Sequence, residues 1–195
     1  MKKAFTIVEL MIVITVIGIL LGMVMVAASN SVRASRSKRA AAMCQVVQTA
    51  LATYHAQQGR WPDPLQGTVD SGSFDSNTEG TDGESDDQKY VLKPNEVRAL
   101  VKALVDETKK GNPLMDISGL YVSRDSGEWG RKGRGMDFMA AIHGTKWSRR
   151  KMKSSEMYFG YCDEDGYFRR FKMIYAIPTD HLAVEVQTDP NSNRR

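Results

Sequence analysis

The residue with the clearest chemical consequence is Glu9. It is a carboxylate set one helical turn after Phe5, at the edge of a run from Leu10 to Ala28 that contains nineteen residues and no charge. An isolated ion beside such a span is costly and is kept where it has a partner. The natural partner is a positive amine at the start of a neighbouring helix. For a mature chain to begin near Glu9, a leader must be cut just before Phe5.

Other candidate groups are more scattered. Asp163-Glu164-Asp165 offers clustered oxygens of the kind calcium takes, with Asp163 and Asp165 as the nearest pair of ligands. The spacing is not that of an EF-hand, and a polar turn accounts for it better. Cys44 and Cys162 form no CxxC pair, so neither a zinc site nor a redox motif is indicated. If Cys44 faces a sheet it can reach Cys162 and form a disulfide outside the cytoplasm, although two separately buried thiols are the simpler outcome. His55, His143 and His181 are isolated in sequence, no serine lies in a nucleophile elbow, and Gly127, Gly130, Gly133 and Gly135 lack the strand and helix that a phosphate cradle needs. The pattern argues against an enzyme. Trp61, Trp129 and Trp147 amid Arg and Lys could stack single-stranded nucleic acid, but ordinary packing explains them as well.

The elements that carry these residues divide the chain unevenly. Of 195 residues, 42% are hydrophobic, enough for one modest head, yet the mean hydropathy is −0.39. A membrane segment joined to a polar domain explains both. The formal charge of +4 gives nucleic acid little support as a partner. Seven acids and no base lie between Asp70 and Asp87, whereas Arg131 to Lys153 holds eight bases against Asp137. Both read as solvated loops.

Beyond Ala28 apolar residues recur at Ala40, Met43, Cys44, Val47, Leu51 and Tyr54, which are helical spacings, with no breaker before Gly59 and Pro62. One helix from Phe5 to Gln58 would be about 80 Å long. Residues 67–88 predict an exposed, mobile acidic loop, and Asn95 to Lys110 a second helix with Val97, Leu100, Val101, Leu104 and Val105 on one face. Strands are expected at Ile117 to Val122, Asp137 to Ile142, Met157 to Cys162, Tyr167 to Ile177 and His181 to Val186, with a hairpin turn over Asp163 to Gly166 and a frayed tail from Asp189. The fold class is α+β, a helix packed on an antiparallel sheet.

Lys2-Lys3-Ala4 followed by Phe5-Thr6-Ile7-Val8-Glu9-Leu10 resembles the cleavage and methylation motif of type IV prepilins and type II secretion pseudopilins. Ala4 stands where that family most often has Gly. Tyr54 to Pro62 resembles the helix exit of pseudopilins. Together these cover about the first third of the chain.

The resemblance implies a leader over residues 1–4, a transmembrane helix half over 5–28, an amphipathic half over 29–58 and a pilin-like head over 59–195. It further implies cleavage after Ala4 by a prepilin peptidase, N-methylation of Phe5, assembly through Glu9, and an inner-membrane assembly platform and other copies as partners. The head would lie in the periplasm and then on a pseudopilus or pilus filament. Secretion pseudopilins often hold calcium in C-terminal loops, which again touches Asp163 and Asp165. A surface pilin for adhesion or DNA uptake is the alternative within the class. From another class, Val26-Ala27-Ala28 fits a signal-peptidase site that would release a soluble protein. The basic residues read differently: Arg33, Arg36, Lys38 and Arg39 after the span outweigh Lys2 and Lys3 before it, and taken alone favour the opposite orientation.

Overall fold

In the computed structural model, residues 6–72, 88–124, 135–144, 151–177 and 179–187 are described. Helix α1 runs unbroken over Ile7–Gln58, 52 residues, as the absence of an internal proline allows. Gly59 ends it in the left-handed conformation, φ 67°, with its N–H donating to the His55 carbonyl at 2.8 Å. The first half is exposed all round, while Ala40, Met43, Cys44, Val47, Ala50 and Leu51 of the second half are buried. The helical spacing therefore identified the buried face correctly.

The chain next forms a short helix, α2 (Leu65–Ser71). This corrects the expectation of a loop from residue 67: Leu65 is buried, and Gln66 donates to Asp70 across one turn at 2.8 Å. Residues 73–87 of that acidic stretch lie outside the described residues, and Gln88 already belongs to strand β1 (Gln88–Val91), which the sequence did not announce. Helix α3 (Pro94–Lys109) matches its expected span. Pro94 fits the first turn, Glu96 accepts the Lys93 N–H at 2.8 Å, and the five expected apolar residues are buried.

Among the described residues seven strands make two antiparallel sheets where one was expected. Strands β2 (Tyr121–Ser123), β3 (Met136–Asp137), β4 (Tyr158–Cys162) and β5 (Phe168–Arg170) form a sheet of order β3-β2-β4-β5; β6 (Lys172–Ile177) and β7 (His181–Glu185) join β1 in the order β1-β6-β7. The expected strand Tyr167 to Ile177 is thus split at Phe171, which is buried against Tyr161 where the chain crosses between sheets.

Two other expected strands are cut short for local reasons, Ile117 to Val122 keeping only Tyr121 and Val122 in β2 and Asp137 to Ile142 only Asp137 in β3. Asp137 caps a helix, accepting from the Met139 N–H at 2.9 Å and the Ala140 N–H at 3.4 Å, so Phe138–His143 is helix α4. Its buried residues, Phe138 and Ala141, are spaced for a helix, in a run too short for periodicity to separate from a strand. Asp116 binds the Ser118 N–H and hydroxyl at 2.9 and 2.8 Å, turning the chain where a strand was expected to begin at Ile117.

The second half of α1 packs on β7, β4 and α3, and α3 also packs on β4. One continuous core results, in an α+β arrangement with a long apolar helix projecting from it. The β4–β5 hairpin is tightly built. A Cβ at Gly160 would lie 2.0 Å from the Arg169 carbonyl oxygen and 2.7 Å from the Phe168 ring. We predict that Gly160→Ala lowers the stability of the head by about 2 kcal/mol or more, as overpacking against backbone does. Urea unfolding of the detergent-held chain, followed by near-UV circular dichroism, checks this; an unchanged midpoint refutes it.

Candidate processing and assembly site

Thr6 and Glu9 form a reciprocal cap at the start of α1. The Thr6 hydroxyl accepts from the Glu9 N–H at 3.3 Å, while Glu9 Oε2 accepts from the Thr6 N–H at 3.0 Å and the Thr6 hydroxyl at 2.9 Å. The T-x-x-E spacing is the sequence signal for this box. Glu9 therefore has a local partner in the single subunit. Among the described residues none donates to its second oxygen, Oε1, which is left available to a donor from outside. Ala4 and Phe5, the expected cleavage and methylation residues, lie outside the described residues.

Above the cap, large apolar side chains from Ile7 to Val32 point outward on every side, from 45% exposed at Val13 to 79% at Ile7. A helix apolar all round must be covered by lipid or by other helices. Its most apolar window is wholly unburied, and α1 is long and apolar enough to cross a membrane.

At the junction with the head, the turn between β4 and β5 grips α1. Arg33 pairs with Asp165 at 2.7 Å, and Arg36 donates to the Glu164 carbonyl at 3.3 Å. Asp163 accepts the N–H groups of Asp165 and Tyr167 at 3.1 and 2.8 Å and faces Arg169 at 2.9 Å. The oxygens that the sequence offered to calcium are thus turned to backbone donors and arginines. No group of three or more metal-binding side chains gathers among the described residues.

The disulfide weighed from the sequence is not formed: Cys44 and Cys162 are both free, the simpler of the two outcomes. Cys44 lies in the core beside Tyr161 of β4, whereas Cys162, at the end of that strand, is near Arg36 and Arg39 of α1 and meets the Tyr121 side chain. Burial, helped by the Glu185 charge, pushes the Cys44 thiol up to about 12, and burial with Asp163 raises Cys162.

At the far end of α1 the structure brings together residues that sequence left apart. Asp180, at φ 48° in the turn between β6 and β7, accepts from Trp61 Nε1 at 2.7 Å and the Tyr175 hydroxyl at 2.6 Å, and faces His55 Nε2 at 3.5 Å. His55 stacks on Trp61 at 4.3 Å. The cluster fastens the helix exit to the second sheet. Asp180 carried no sequence signal, because a lone turn aspartate gains its meaning here from Trp61 and His55, over a hundred positions away. Trp129 and Trp147 lie outside the described residues.

A long apolar helix whose second half packs on an antiparallel α+β head is a pilin-like architecture. Residues 1–25 match the prokaryotic N-terminal methylation motif, the prepilin-type signature, which supports a precursor like those of type IV pilins and pseudopilins. The motif implies processing by a prepilin peptidase and assembly into a filament, and together with the exposed helix it fits a membrane-anchored pilin. No curated protein and no solved structure matches the chain significantly.

The thiols give a direct check of the head. At pH 8 an ordinary cysteine is about one quarter thiolate, whereas one near 12 is about 1 part in 10,000. Iodoacetamide should therefore label the unfolded chain at both cysteines and leave Cys44 unlabelled in the folded chain, with mass analysis finding two reduced thiols. Prompt native labelling of Cys44 at pH 8, or a mass 2 Da low for the pair, refutes this placement.

Proposed function

We propose that this protein is a structural, non-enzymatic subunit of a type II secretion pseudopilus or a related type IV pilus-like filament. The observation that carries this reading is the coincidence of the methylation motif at residues 1–25 with a helix whose apolar surface is exposed from Ile7 to Val32. On this reading the prepilin peptidase removes Met1 to Ala4, and Phe5 becomes the methylated N-terminus. The subunit waits in the inner membrane with its head in the periplasm, and then joins copies of itself or other pilins through α1. The secretion role is preferred to a surface pilus because no cysteine pair brackets the C-terminal region, where many major pilins have one. The inverted basic bias around the span is overruled by the need for a cytoplasmic leader.

Glu9 is the assembly residue in this reading. In the subunit its carboxylate leans on Thr6, which lets it enter the membrane edge partly satisfied. When helices bundle and water leaves, the free Oε1 can take a donor from the Phe5 amine of a neighbour, which methylation keeps charged. Because that amine exists only after cleavage, processing and polymerisation are coupled.

Mass spectrometry of the mature chain should find methylated Phe5 first; Ser29 first would instead support release of a soluble protein by signal peptidase. Glu9→Gln should be inserted and cleaved normally but yield at least about tenfold less filament, a loss of roughly 1.4 kcal/mol or more in assembly. Wild-type filament levels at normal subunit abundance refute the pairing. Thr6→Ala, which removes the hydroxyl's part in the cap but no charge, should assemble better than Glu9→Gln; equal defects would reduce Glu9 to a helix cap.

A further inference from the structure

The basic residues that follow the apolar span are not all accounted for by the head. Arg33 is paired with Asp165, but Arg36 and Arg39, on the same helical face, line a cavity of about 210 Å³ between α1 and the first sheet. Tyr121, Tyr161, Cys162 and Gly166 form its other walls. Among the described residues no carboxylate lies within ion-pair distance of either guanidinium. Among the described residues Arg36 has one long bond, to the Glu164 carbonyl, and Arg39 is held 5.8 Å over the Tyr121 ring. Arg33 and Arg169 are already matched by Asp165 and Asp163.

We propose that this cavity binds a phosphate group, and that Arg36 and Arg39 are its ligands. Paired guanidiniums present forked N–H donors that match phosphate oxygens, and a bound anion relieves their mutual repulsion. The volume equals about seven waters of liquid, enough for a phosphate group with some hydration. Position supports the same ligand. The charge-free stretch Leu10 to Val32 is about 35 Å long as a helix, slightly more than the hydrocarbon core, and Arg36 and Arg39 follow Arg33 by about 4.5 and 9 Å along the axis. They therefore stand at the depth of phospholipid headgroups. This goes beyond the filament reading and holds for either orientation of the chain in the membrane.

The test is native mass spectrometry of the full chain from a neutral detergent containing equal phosphatidylglycerol and phosphatidylcholine, with a second series adding inorganic phosphate at constant ionic strength. The wild type should retain phosphatidylglycerol at least about tenfold over phosphatidylcholine, Arg36→Gln with Arg39→Gln should fall to near parity, and Lys38→Gln should behave as wild type. Displacement by millimolar phosphate assigns the site to the free anion, whereas retention despite it assigns the site to the lipid headgroup; either supports a phosphate site. Equal retention of both lipids by the wild type with no response to phosphate overturns the proposal, as does an equal loss in Lys38→Gln. Should the double Gln variant fail to fold, Arg36→Lys with Arg39→Lys keeps both charges and should still lose most of the selectivity; unchanged selectivity overturns the guanidinium site.

Discussion

The apolar surface of α1 from Ile7 to Val32 cannot be satisfied by the head, which begins to cover the helix only at Ala40. At about 25 cal/mol per Å² of apolar area, leaving such a surface in water opposes any soluble state, so lipid or other helices must cover it. The other features of the chain follow from that demand. Basic residues mark the end of the apolar stretch, the head is built entirely beyond it, and the one early carboxylate is capped by its neighbour Thr6.

Because the exposed helix is where contacts with lipid or other subunits must form, the firmness of its attachment decides what those contacts can position. The second half of α1 is gripped at both ends. Near the membrane, Arg33 and Arg36 meet the β4–β5 turn; at the other end, His55 and Trp61 meet Asp180. The Arg33–Asp165 pair is largely exposed and adds little to stability, about 1 kcal/mol at most. Its value is orientation. The buried stripe between the two grips supplies the energy, and the grips fix rotation about the helix axis. A head attached in this way moves with its helix.

Hydrogen-bonding capacity is distributed along the same axis. Asp163, Asp165 and Asp180 spend their oxygens inside the subunit, organising turns against α1. Among the described residues, Glu9 keeps one oxygen uncommitted, and Arg36 and Arg39 keep most of their donors. The groups with spare capacity thus sit at the two ends of the apolar stretch, where a single subunit meets something other than itself.

Local pattern was enough for the features that depend on residues close together in sequence. The Phe5 to Leu10 motif, the uninterrupted helix to Gly59, its buried stripe, the α3 face and the Asp163 to Gly166 hairpin were all legible, because each rests on interactions within a turn or two. The T-x-x-E cap was equally local and could have been read. Tertiary structure decided the rest. Gln88–Val91 becomes a strand because β6 offers it an edge, and Tyr167 to Ile177 divides because Phe171 is drawn into the core. Cys44 and Cys162 stay unpaired, Cys44 beside Tyr161 in the core and Cys162 near Arg36 and Arg39. The Asp180 cluster and the Arg36–Arg39 cavity join residues over a hundred positions apart, and no periodicity encodes such a meeting. Sequence determined which segments must leave water; only the packed chain determined which polar groups were left facing outward when they did.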